Sequence, residues 1–137
     1  MRLQPSLRSA VLLASALLAL ASCAEQAPEA GAPVAPAELA ALLSPSDAPL
    51  LLDVRTPEEF AAGHVPGATL VPVQELEARL GELAAYQQRG VVTYCERGPR
   101  AAKAAELLRA NGFANVRQLE GSMQRWREER REVATPP

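Results

Sequence analysis

Apolar residues along this chain follow two rhythms that take turns. Leu50-Leu51-Leu52-Asp53-Val54 is too short for a helix and apolar at consecutive positions, as a strand covered on both faces must be. Comparable runs at Thr69 to Val71, Val91 to Tyr94 and Val116 to Leu119 predict three more strands, and Val34 can add a short edge strand. Between these runs the spacing is helical. Leu39, Leu42 and Leu43 repeat between Pro36 and Ser44-Pro45, Val73, Leu76, Leu80 and Leu83 form a stripe, and the Ala- and Leu-rich segment 101–110 closes on Asn111-Gly112. A last helix from Ser122 turns Met123 and Trp126 toward the core. Thr56-Pro57-Glu58-Glu59 carries a hydroxyl, a proline at the first helical position and a glutamate three residues on, the capping box of a short helix that ends at Gly63. Strands alternating with helices across short turns predict an α/β domain with a mostly parallel sheet, because parallel neighbours need crossovers. Ligands of such sheets sit at the carboxyl ends of strands, where Asp53-Val54-Arg55 and the segment from Cys95 to Arg100 fall.

The 137 residues suit one domain, placed at 36–133, with a disordered tail at 134–137. The start of the chain has another purpose. Arg2 and Arg8 precede an uncharged run of 11 residues from Ala10 to Leu20, short of the roughly 20 that a spanning helix needs. Residues 1–22 therefore read as a secretory signal. Leu20-Ala21-Ser22-Cys23 resembles the lipobox of bacterial lipoproteins, in which the cysteine is acylated and becomes the mature N-terminus. The alternative is ordinary cleavage after Ala19-Leu20-Ala21, which leaves Cys23 a free thiol. Lipidation at Cys23 implies a protein held on a lipid membrane of the cell envelope and facing the periplasm, by default at the outer membrane because Ala24 is not an aspartate. Residues 23–35 are then the lipidated N-terminus and a flexible tether rich in Ala and Pro. Once the signal is removed, 12 of the 14 basic residues face 16 acidic ones, a net of about −4 that does not suit nucleic acid.

The cysteines sharpen the picture. Acylation of Cys23 leaves Cys95 with no partner in its own chain, which in an exported protein asks for an explanation, the plain alternatives being a buried inert cysteine or one paired to another chain. Tyr94-Cys95-Glu96-Arg97-Gly98-Pro99-Arg100 reads as a strand end, a loop and a helix start. Loop N–H groups backed by a helix N-terminus converge on one point and stabilise a thiolate, a persulfide anion or a substrate oxyanion there. Arg97 and Arg100 add positive charge, whereas Glu96 sets a carboxylate beside the sulfur and Pro99 removes one N–H donor. Arg100 is expected to face the substrate or shape the loop, with pairing to a carboxylate as the plainer alternative. Arg97 reaches either the pocket mouth or solvent. Asp53 and Arg55 read as a carboxylate and guanidinium network that holds the loop. His64, in a Gly-His-Val-Pro-Gly turn, reads as a structural hydrogen-bonding residue, and the run from Arg125 to Glu132 as a solvated helix end. One histidine and one free cysteine do not make a metal site, and no cofactor is expected.

Several separated blocks resemble the single-domain rhodanese family in that family's order: Leu51-Leu52-Asp53-Val54-Arg55, Glu58-Glu59-Phe60, Gly63-His64-Val65-Pro66-Gly67-Ala68, Tyr94-Cys95, Gly98 with Arg100, Gly112-Phe113, and Leu119-Glu120-Gly121 with Met123 and Trp126. The resemblance implies a rhodanese-like fold, a parallel sheet of about five strands between helices, and sulfur transfer through a persulfide on Cys95. Four residues separate Cys95 from Arg100. Related phosphatases and arsenate reductases have one more, so the resemblance favours sulfur chemistry over theirs. Thiosulfate or a persulfide or polysulfide is then the donor, and a small thiol, cyanide or a protein thiol the acceptor. Glu96, Pro99 and Ser122 depart from the family's common Cys-Arg-Ser-Gly-x-Arg loop and its second glycine. The first two lead to the expectation that thiosulfate is the poorer donor. The competing reading is a catalytically weak, lipid-tethered binding or persulfide-sensing module.

Overall fold

The computed structural model describes residues 31–137. The signal and lipid-attachment expectations at residues 1–22 and Cys23 lie outside the described residues. Four strands, β1 (Leu50–Asp53), β2 (Thr69–Leu70), β3 (Val91–Tyr94) and β4 (Val116–Gln118), form one parallel sheet in the order β2-β1-β3-β4. The helices are α1 (Pro36–Leu42), α2 (Pro57–Ala61), α3 (Pro99–Ala110) and α4 (Ser122–Glu128), with a 3-10 segment at Glu77–Tyr86.

Consecutive strand residues point to opposite faces, so an apolar run without alternation supplies two cores at once. Leu50, Leu52 and Val91 pack with Leu76, Leu83, Ala104, Ala105 and Leu108 on the α3 side. Leu51, Val92 and Tyr94 pack with Leu39, Val65, Met123 and Trp126 on the side of α1 and α4. The register Leu50↔Val91 to Asp53↔Tyr94 brings the carboxyl ends of β1 and β3 level, which sets Asp53 and Arg55 beside Cys95.

The sheet agrees with the expected parallel α/β architecture, and details at its edge, its ends and two helices add to it. The sheet has four strands, and the fifth position is a single parallel bridge of Val34 to Leu119. That bridge buries Val34, whose N–H donates to Gln118 O at 2.8 Å, and Arg117 Nε donates to Ala32 O at 2.6 Å. Val34 thus takes the edge position expected of it, within the segment 23–35. At the other end, Ala134 exchanges two 2.9 Å backbone hydrogen bonds with His64, so the expected tail at 134–137 starts with a paired residue. The stripe from Val73 to Leu83 is a turn followed by the 3-10 segment, with Gly81, a poor α-helix former, inside it. Finally, α3 begins at Pro99 instead of residue 101, since proline's fixed φ and missing N–H cost nothing at the first helical position.

Candidate active site

β3 ends at Tyr94 and delivers Cys95, nearly fully buried, to the turn before α3. The chain must reverse within three residues, and Gly98 permits this at φ +124°, where a side chain would be strained. In that position the Gly98 N–H donates to Cys95 Sγ at 3.0 Å, and the N-terminus of the 12-residue α3 follows directly. A donor aimed at sulfur together with the helix dipole favours negative charge on Sγ. Pro99, as the first residue of α3, contributes no N–H.

A second helix holds the loop from the other side. The first N–H groups of α4 have no partners within their own helix. Met123 N–H donates to Cys95 O and Gln124 N–H to Glu96 O, both at 3.0 Å. Ser122 Oγ accepts the Cys95 N–H at 3.4 Å, and Ser122 itself is buried at φ +51°. In the sequence Ser122 stands only as a departure from glycine at a helix start. Its contact with Cys95 depends on α4 docking against the loop.

Behind the loop lies a buried ion pair. Arg55 Nη2 meets Asp53 Oδ2 at 2.7 Å and Gly63 O at 2.9 Å, and Arg55 Nε reaches Asp53 Oδ1 at 3.0 Å. Burial opposes the Arg55 charge, yet the bonds and field of Asp53 leave its pKa above the usual arginine value. Tyr94 shares this site. Its hydroxyl accepts the Val65 N–H at 3.1 Å, and burial, with the negative field of Asp53, pushes it well above the usual phenol range. Every buried side-chain polar atom among the described residues has a partner, as a charged group removed from water requires.

At the rim, Arg100 forms a two-bond fork with Glu59, Nη1 to Oε2 at 2.7 Å and Nη2 to Oε1 at 2.8 Å. This is the carboxylate pairing rather than a free substrate-facing guanidinium. The bonds to Glu59 hold Arg100 protonated far above its usual range against partial burial, and the nearby Cys95 sulfur acts in the same direction. Glu59 also accepts the Thr56 N–H at 2.9 Å and so completes the capping box of α2. The sequence assigned Glu59 the cap alone, and no local signal marks its link to α3. Glu96 is not a bare carboxylate: Oε2 lies 3.4 Å from Arg55 Nη1, and Oε1 bonds Arg127 Nη1. The sequence alone places Arg127 in a solvated helix end. Arg97 is exposed and makes no ion pair among the described residues. His64 stacks on Phe60 with ring centroids 3.6 Å apart, and its Nδ1 lies 3.0 Å from Phe60 O.

The family model of the rhodanese-like domain matches residues 35–129. The chain belongs to the rhodanese-like domain family. It is 39% identical over 112 residues to human thiosulfate:glutathione sulfurtransferase, a match covering 72% of this chain and 96% of that protein. It is 37% identical over 76 residues to the Bacillus subtilis protein YqhL, where the match takes in 56% of this chain and the chain spans only 59% of the relative. Among solved structures, the human single-domain sulfurtransferase TSTD1 superposes with a TM-score of 0.61 at 34% identity, over 75% of this chain and 97% of that one.

Proposed function

We propose that this rhodanese-like domain is a sulfurtransferase that moves sulfane sulfur through a Cys95 persulfide, from thiosulfate or a persulfide or polysulfide to a thiol or cyanide. The observation that carries this reading is Cys95 Sγ, accepting the Gly98 N–H at 3.0 Å at the head of α3. The similarity to a thiosulfate:glutathione sulfurtransferase along 96% of that protein supports it. In the first half-reaction the Cys95 thiolate attacks the outer sulfur of the donor. A new S–S bond forms, the donor's S–S bond breaks, and sulfite or a thiolate leaves with the electron pair. The persulfide anion occupies the space at the Gly98 N–H and the α3 N-terminus, whose fixed dipoles stabilise it without reorganisation. In the second half-reaction an acceptor thiolate or cyanide takes the outer sulfur and the Cys95 thiolate departs. Pro99 leaves the cradle one N–H short, which favours a persulfide or polysulfide over the more highly charged thiosulfate.

Mass spectrometry of the Cys95 peptide after donor treatment tests the reading. A gain of one sulfur atom, with transfer activity lost in Cys95→Ser, is expected; no gain with any sulfane donor refutes it. The proposal extends to location: the lipobox-like Leu20-Ala21-Ser22-Cys23 supports an acylated Cys23 and an envelope protein facing the periplasm. No helix among the described residues is long and apolar enough to cross a membrane. Partition of the expressed full chain into a detergent phase, and its loss in Cys23→Ser, is the expected result. Equal partition of the two proteins speaks against the anchor.

A further inference from the structure

Glu96 puts a negative charge one residue from the reacting sulfur, so whatever neutralises it governs which reactants approach. Its Oε2 reaches inward to Arg55 Nη1 at 3.4 Å, but the shorter contacts of Arg55 go to Asp53 and Gly63. The Arg55 charge is therefore already balanced by Asp53. The other oxygen of Glu96 is bonded by Arg127 Nη1. This second contact is set by helix placement. Gln124 N–H donates to Glu96 O at 3.0 Å and ties the residue after Cys95 to the first turn of α4. Arg127 lies three residues further on, on the same side of the helix, and reaches the carboxylate from there. The Arg127 side chain is 44% exposed and that of Glu96 31%, whereas Arg55 is fully buried. The Glu96–Arg127 pair thus stands at the solvent side of the Cys95 loop.

We propose that Arg127 is a specificity-determining residue of the Cys95 site: by covering Glu96 it cancels the carboxylate beside the sulfur and admits anionic reactants to it. Its place in sulfur transfer rests on the proposed function, while the charge effect itself does not. Without the guanidinium, Glu96 repels an approaching anion. For a separation of about 7 Å and an effective dielectric constant of about 50, between bulk water and a protein surface, this slows a monoanion about fivefold at low ionic strength and about twofold near 0.15 M salt. A dianion such as thiosulfate is slowed by roughly the square of that factor.

Alkylation of the full chain separates the two claims, because iodoacetate and iodoacetamide differ in charge while attacking the same thiol. Rates are read on the Cys95 peptide so that Cys23 does not contribute. The ratio of the iodoacetate to the iodoacetamide rate is expected to fall about fivefold in Arg127→Ala at low ionic strength. It returns toward wild type in Arg127→Lys and in the double variant Glu96→Gln/Arg127→Ala, and the difference shrinks in high salt. An unchanged ratio in Arg127→Ala, or an equal slowing of both reagents, overturns the proposal. For sulfur transfer, kcat/KM for thiosulfate is expected to fall further in Arg127→Ala than kcat/KM for a monoanionic persulfide; an equal fall counts against it. If wild type transfers no sulfur, the proposed function fails, and the alkylation ratio still decides the role of Arg127.

Discussion

Glu59→Gln separates two jobs that one side chain performs. Glutamine can still accept the Thr56 N–H and close the capping box of α2, but it carries no charge opposite Arg100. Hydrogen bonding to Arg100, helped by the Thr56 N–H and opposed by partial burial, lowers the Glu59 carboxyl from 4.5 to about 2. At about 1.4 kcal/mol per pKa unit such a shift corresponds to at most about 3.5 kcal/mol. With Arg100 and Glu59 33% and 32% exposed, solvent screening reduces the expected loss to about 1 kcal/mol. The folded pKa lies below the unfolded one, so the stabilisation is complete above about pH 4.5 and is lost as pH falls through about 2. Urea denaturation of wild type and Glu59→Gln should show the variant about 1 kcal/mol less stable at pH 7, with more than half of that gap gone at pH 3. A gap of the same size at both pH values would mean that the cap, not the charge, carries the effect. No gap at pH 7 would show that the fork contributes nothing.

Two further substitutions test other parts of the frame. Arg55→Met leaves the Asp53 carboxylate buried with no ion-pair partner and should cost about 3–5 kcal/mol in chemical denaturation; a loss under about 1 kcal/mol contradicts the buried pair. Gly63→Ala places a Cβ 2.6 Å from Val133 Cγ1 at φ +143°, and a loss of about 1–3 kcal/mol is expected, part of which Val133→Ala in the same chain should recover. Absence of recovery would show that backbone conformation alone, not contact with the C-terminal strap, excludes a side chain there.

The parts of this protein legible in its sequence are those whose cause is local. Leu50 to Val54 and Val91 to Tyr94 are apolar on both faces because helices cover both, and that pattern can be read without knowing which helices. Thr56 and Glu59 are three residues apart and announce a helix start, and Cys95 at a strand end before a glycine and a helix marks the site to inspect. Where local rules compete, the reading shifts: the Val73 to Leu83 stripe fits an α-helix and a 3-10 turn almost equally, and packing of Leu76 and Leu83 on the sheet selects the second.

The electrostatics of the site depend on distance in space instead. Glu59 meets Arg100 across 41 positions, and Glu96 meets Arg127 across 31. In the sequence, Glu96 stands as a negative charge beside the sulfur set against Arg97 and Arg100, Arg127 as one cation in a charged helix end and Ser122 as a substitution for glycine. Only the docking of α4 onto the Cys95 loop, through Met123 and Gln124 N–H groups that have no partners in their own helix, brings these three together. The sequence by itself determined the strands, the capped start of α2 and the place of Cys95 at a strand end, because hydrophobic period and capping act within a few residues. The tertiary structure alone decided which charges face that thiol, because an ion pair is selected by the packing of whole elements.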